Sequence, residues 1–275
     1  MVRLQAADLT FGYDAEPIIE NLNLEIPKGE ITVFIGANGC GKSTLLRTLA
    51  RLLKPDKGTV FLDSEKIASL PTKEISKKMS ILPQGASTPE GLTVDQLVRQ
   101  GRYPHQSWLK QWSSEDERMV QDALKSTNMT HLSERSVDSL SGGQRQRAWI
   151  AMTLAQGTET LLLDEPTTYL DMAHQIEVLD LLFDLNEKEQ RTIVMVLHDI
   201  NLACRYAHYI VAVQKKTIYA HGRPEDIITA DTLKAVFQME CQIMRDPIFG
   251  TPLCIPFGKG RKIGNREDQM ERLFS

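Results

Sequence analysis

The sequence predicts an α/β protein: a mainly parallel sheet flanked by helices, with an antiparallel β segment at its start and a helical segment inserted in its middle. Three observations predict it. Short apolar runs rich in Ile, Val and Leu recur at Ile31–Ile35, 161–163, 193–197 and 210–213, and such runs suit strands covered on both faces. Helical spacing separates two of them, in Ile176, Leu179, Leu182 and Phe183. The stretch from about residue 84 to 159 reads as helical, at Val94–Gln100, 116–126 and 143–156, with no convincing strand.

The elements follow in order. The first thirty residues alternate like antiparallel strands around turns at 12–14 and 27–29. A main domain is expected over 1–240, with the helical subdomain inserted at about 84–159. Residues 241–275, rich in Gly and Pro, form a short extension in which no element is legible.

Composition narrows the function. A chain of 275 residues accommodates one large α/β domain with an insertion, and 41% apolar with 25% charged residues is ordinary for a globular protein. A net charge of −4 speaks against general nucleic-acid binding, and there is no polybasic membrane anchor. No apolar run exceeds five residues, as in 193–197, too short to span a bilayer. Residues 1–8 lack the apolar core of a signal peptide, so a cytoplasmic chain is expected. Cys40, Cys204, Cys241 and Cys254 are widely spaced and form no CxxC pair, which predicts reduced thiols rather than a disulfide or metal site.

The strongest local signal is Gly36-Ala37-Asn38-Gly39-Cys40-Gly41-Lys42-Ser43-Thr44, which fits the phosphate-binding pattern G-x-x-x-x-G-K-[ST]. Glycines let the backbone curl so that successive N–H groups face a β-phosphate. Lys42 is expected at the β/γ-phosphates and the Ser43 hydroxyl on Mg²⁺. The bare pattern arises by chance in roughly one chain per hundred of this length. Here a strand leads in and a helix leads out, with Leu45, Leu46, Leu49 and Leu52 at helical spacing, so a helix N-terminus is aimed at phosphate. Downstream, the apolar run 161–163 ends in Asp164 and Glu165. Asp164 is placed to hold Mg²⁺, directly or through water, and Glu165 to polarise an attacking water.

A third element, Leu140-Ser141-Gly142-Gly143-Gln144, resembles the signature motif of ABC (ATP-binding cassette) ATPases, whose core is the phosphate-loop NTPase (RecA-like) fold. A Ser hydroxyl and two glycines before a helix make a second phosphate-facing N-terminus. One ATP does not need two such cradles in one chain. The motif therefore implies a second copy of the chain, with two ATPs sandwiched between the phosphate loop of one subunit and the signature of the other. Other family elements appear in order. Tyr13 resembles the aromatic residue that stacks on adenine, and Gln84 the glutamine that touches Mg²⁺ or the water. Asp171 resembles the acidic residue that crosses to the opposite subunit, and His198 the histidine that contacts the γ-phosphate. Tyr169 departs from the pattern, standing where many family members carry a small polar residue. The remaining five histidines are read as packing or surface residues.

The stretches 101–106, 145–152 and 197–203 look like the importer ATPases that serve iron–siderophore permeases, and Gly222-Arg223-Pro224 with Asp226-Ile227 adds to the match. Related haem and vitamin B12 importers share much of this wording. The resemblance implies ATP and Mg²⁺ as cofactors, membrane permease subunits as partners, an extracytoplasmic substrate-binding protein indirectly, and a place on the cytoplasmic face of the membrane. A soluble ABC protein acting on ribosomes or DNA usually carries two cassettes or a long coiled-coil insertion, and this chain has neither. A phosphate-loop kinase or switch GTPase explains neither the signature nor His198.

Overall fold

The computed structural model describes residues 1–13, 16–85, 90–106 and 112–259. The chain opens with β1 (Val2–Tyr13) and β2 (Glu16–Pro27), paired antiparallel as expected. β3 (Ile31–Ile35) then enters the glycine loop that leads to α1 (Lys42–Leu49). The expected helical series stops one turn early. Arg51 takes a left-handed φ of 58° and ends the run, which leaves Leu52 outside the helix and 57% exposed.

β4 (Lys57–Leu62) and β5 (Glu65–Lys66) return to the antiparallel sheet, whose order is β2-β1-β4-β5. The antiparallel unit is thus larger than the first thirty residues. Pairing with β2 satisfies one edge of β1; β4 takes the other, with Leu4 opposite Leu62 and Ala6 opposite Val60 on the buried face.

α2 (Thr72–Lys78) leads to β6 (Met79–Leu82), and then come α3 (Val94–Gln100), α4 (Ser114–Ser126) and α5 (Gly142–Ala155). The next strand, β7 (Thr160–Leu163), pairs directly with β6, so these three helices are an insertion between neighbouring strands. A buried ion pair fastens the insertion: Arg102 Nε lies 2.9 Å from Asp116 Oδ1. Burial opposes the charge on Asp116, yet hydrogen bonds from Ser113 and Arg102 outweigh it and hold the carboxyl far below its ordinary range.

α6 (Met172–Glu189), β8 (Thr192–Val196), α7 (Ile200–Tyr206), β9 (Tyr209–Gln214), β10 (Thr217–Gly222), α8 (Pro224–Ile227) and α9 (Ala230–Phe237) complete the main unit. The central sheet has the order β10-β9-β3-β8-β7-β6 and is parallel except at β10. Alternation along β3 builds two cores. Val33 and Ile35 face the inserted helices and α6, while Phe34 faces α1 and the antiparallel sheet. Beyond residue 240, where no element was legible, β11 (Cys241–Arg245) and β12 (Pro252–Pro256) form a hairpin against α7. All four cysteines are free thiols, and the hairpin brings Cys241 beside Cys254. Burial pushes the Cys204 and Cys254 thiols up to about 12, which keeps both protonated and inert.

Candidate active site

Parallel strands end at one edge of a sheet. The loops that follow β3, β6, β7 and β8 therefore converge, and they enclose a cavity of about 510 Å³. Its lining brings together Asn38, Gly39, Gly41, Lys42, Ser43, Thr44, Gln84, Glu165 and His198, residues that are up to 160 positions apart in the sequence.

The loop conformation depends on its glycines. Gly36 has φ 151°, and a Cβ there would come 2.4 Å from the Val213 carbonyl oxygen. Gly41 has φ 101°, with Ile18 2.7 Å from a Cβ position. Lys42 is buried, and its Nζ donates to the carbonyls of Gly36 at 2.8 Å and Ala37 at 3.0 Å. Cys40 Sγ lies 3.9 Å from the same nitrogen. The ammonium is held over a loop whose helix begins without any side-chain cap, which leaves first-turn N–H groups available to an anion.

Glu165 is the meeting point of two distant residues, Gln84 and His198. Its Oε2 accepts from Gln84 Nε2 at 2.6 Å, and its Oε1 lies 2.8 Å from His198 Nε2. The backbone of Glu165 is left-handed, φ 54°, an uncommon conformation that turns the carboxylate into the cavity. Asp164, one residue earlier, is fully buried. Its Oδ2 lies 3.3 Å from Arg47 Nη2, while Oδ1 has no hydrogen-bond partner among the described residues. A buried anionic oxygen without a donor suits a cation or a cation-bound water.

Two contributors were not singled out in the sequence. Thr168 Oγ1 donates to Glu165 Oε2 at 2.8 Å, and Arg47 on α1 partners Asp164. Arg47 carries no sequence signal, because 117 positions separate it from Asp164.

The signature turn does not line this larger cavity. Ser141 caps α5 in a capping box, in which its Oγ accepts from Gln144 N at 3.3 Å and Gln144 Oε1 accepts from Ser141 N at 3.1 Å. Gly142 lines a smaller cavity of about 230 Å³ that shares Gln84, Glu165 and Tyr169 with the larger one. Gly143 is buried within its own chain, against the His174 ring. Its missing side chain therefore serves helix packing as well as any approach of phosphate. Asp171 caps α6, accepting from His174 N at 3.0 Å, and hydrogen bonds from His174 hold its carboxyl below the ordinary range. Tyr169 has φ 66° and is 93% exposed. Tyr13 ends β1, but its side chain lies outside the described residues.

A doubly cored α/β fold with this cavity at the carboxyl edge of its strands defines a phosphate-loop nucleotide-binding protein. The model of the ABC transporter family matches residues 19–168. The petrobactin import ATP-binding protein FpuD of Bacillus anthracis is 68% identical, over 94% of this chain and 95% of that protein. The ferric enterobactin transport ATP-binding protein FepC of Escherichia coli (strain K12) is 50% identical, over 94% of this chain and 96% of its own. Among solved structures, the dimeric bacterial ABC transporter cassette MJ0796 superposes with a TM-score of 0.70 at 28% identity, covering 80% of this chain and 98% of that one. The chain belongs to the ABC transporter family, whose ATP-binding subunits hydrolyse ATP to power transport.

Proposed function

We propose that this chain is the ATP-hydrolysing subunit of an importer for iron(III)–siderophore complexes, acting as a dimer on the cytoplasmic side of a separate membrane permease. The observation that supports the chemistry best is the convergence of Gln84 and His198 on Glu165, across the cavity from Lys42. The cargo reading is supported by relatives named for petrobactin and ferric enterobactin transport that align over nearly the whole chain. An extracytoplasmic binding protein would deliver the cargo to the permease. No described helix is long and apolar enough to cross a membrane, which fits a subunit that works through a partner. Residues 1–240 are taken as the ATPase domain, with about 84–159 as its helical subdomain and 241–275 as an extension.

In this reading the loop 36–41 and the first turn of α1 wrap the phosphates. Lys42 exchanges its loop carbonyls for β/γ-phosphate oxygens, Ser43 and Thr44 donate hydroxyls, and Tyr13 stacks on the base. Mg²⁺ suits the Ser43 hydroxyl, the free Oδ1 of Asp164 and the Gln84 amide, and when bound it neutralises phosphate charge. Glu165 orients the attacking water and takes its proton. Gln84 and Thr168 fix the carboxylate, and His198 turns from Glu165 to the γ-phosphate. Ser141, Gly142, Gly143, Gln144 and Asp171 complete the site of the second subunit, so ATP closes the dimer and product release reopens it.

Uptake into vesicles carrying the copurified permease and the binding protein tests the cargo. ATP-dependent entry of an iron(III)–siderophore complex is expected. Entry of haem or cobalamin alone would assign the chain to those importers instead.

A further inference from the structure

Helices α5 and α6 begin side by side. A Cβ built on Gly143, in the first turn of α5, would come within 2.6 Å of His174 Cδ2 in the first turn of α6. One turn further along both helices, Arg147 pairs with Glu177. The two contacts advance in the same direction, so the N-caps Ser141 and Asp171 lie at one shared end. A Cβ on Gly142 would lie 3.7 Å from Leu170 and 3.9 Å from the Tyr169 carbonyl oxygen, which brings the 169–171 loop against the 141–144 turn.

His174 touches both turns at once. One edge of its ring packs on Gly143, while Nδ1 lies 2.7 Å from Asp171 Oδ1, the oxygen that also accepts from the His174 backbone. The ring is a rigid body with two rotatable bonds, fixed at one side by packing and at the other by a hydrogen bond. It does not line the cavity that holds Lys42, Glu165 and His198. Whatever it does for hydrolysis, it does through the two turns.

We propose that His174 is a positioning residue for ATP hydrolysis, locking the 141–144 turn to the Asp171 turn so that both meet the second subunit's nucleotide as one surface. This rests on the shared-site reading above. It carries a direction that a purely structural role lacks: a His174 lesion damages the site in the other subunit and spares the site in its own.

Mixed heterodimers read that direction. Lys42→Ala and Ser141→Arg chains together form one intact composite site, in which the Lys42→Ala chain supplies the signature. His174→Ala is then added to one chain or to the other, and retention of a non-hydrolysable ATP analogue is measured after gel filtration. In the Lys42→Ala chain it is expected to lower retention roughly tenfold, the scale of a coupled pair. In the Ser141→Arg chain, whose signature is already dead, retention stays within about twofold of the parent mixture, within the scatter of independent sites. Equal losses in both arrangements, or no loss in either, overturn the proposal.

His174→Asn keeps a donor near the Nδ1 position and is expected to recover part of the loss; no recovery overturns the Asp171 half of the lock. Thermal unfolding checks that each chain is folded. Should His174→Ala fail there, His174→Asn and His174→Phe carry the same two-way comparison. If the parent mixture retains no nucleotide, the shared-site reading falls and the proposal with it, before His174 has been altered.

Discussion

α1 and α5 both begin at glycines, and they are finished differently. At α1 the N-cap is Gly41, with no side-chain cap and a buried lysine folded back over the loop. At α5 the N-cap is Ser141, and a capping box with Gln144 satisfies both partners inside the chain. An uncapped helix start behind a glycine loop suits an anion bound by its own subunit. A capped and exposed start is stable alone and gains an anion only when another molecule brings one. The two helix starts are therefore not equivalent: one leaves its first-turn N–H groups open, and the other satisfies them from its own side chains.

The largest effect should come at the carboxylate beside α1. Glu165→Gln is expected to keep ATP bound while turnover falls roughly 10²–10⁴-fold, the scale for losing one acid–base group. ATP should then accumulate a stable dimer, which size-exclusion chromatography reads. A protein that stays monomeric at every ATP concentration, with permease present or absent, would break the pairing of the two helix ends.

Next in size is the support of α5. Asp116→Asn leaves the Arg102 guanidinium buried without a counter-charge, and should destabilise the protein by about 3 kcal/mol. The folded pKa of Asp116 lies below its unfolded value, so its contribution is present above the unfolded value and lost as pH falls toward the folded one. Denaturant titrations should therefore show a gap between wild type and variant that is flat from pH 8 to about 5 and narrows below about 4.

Direct nucleotide binding sharpens the comparison further. Lys42→Ala removes charged donors from α1 and should weaken ATP affinity of the isolated subunit roughly 100-fold. Ser141→Arg should leave that affinity within about twofold while abolishing turnover, because the lesion acts on a partner's nucleotide. Equal losses of affinity in both variants would make the two helix ends equivalent. The smallest effect is the cap itself. Ser141→Ala should cost about 1 kcal/mol, a fall in Tm of roughly 2–4 °C by calorimetry.

Much of this architecture was legible in the residues. The apolar runs marked the strands of the central sheet, and Val94–Gln100 coincides with α3. β4 is not legible in the sequence, because only Val60 and Leu62 of its short length are buried, and the partner that explains them, β1, lies far upstream. The β11–β12 hairpin is illegible for a related reason. Asn201 of α7 both accepts from the Cys254 backbone N–H at 2.7 Å and donates to its carbonyl at 3.2 Å, across 53 positions.

At the site the division is sharper. The 36–44 loop could be read whole because its demands are local: positive φ at Gly36 and Gly41, and a lysine placed by the helix that follows. Consecutive residues carry such demands, so the sequence by itself determined the shape of this loop. Only the tertiary structure decided that Arg47 meets Asp164, that Thr168 joins Gln84 and His198 around Glu165, and that His174 joins Gly143 to Asp171. Each of those contacts depends on which strand ends and helix ends lie together, and that is set by the parallel order of the sheet and by helix packing rather than by any run of neighbouring residues.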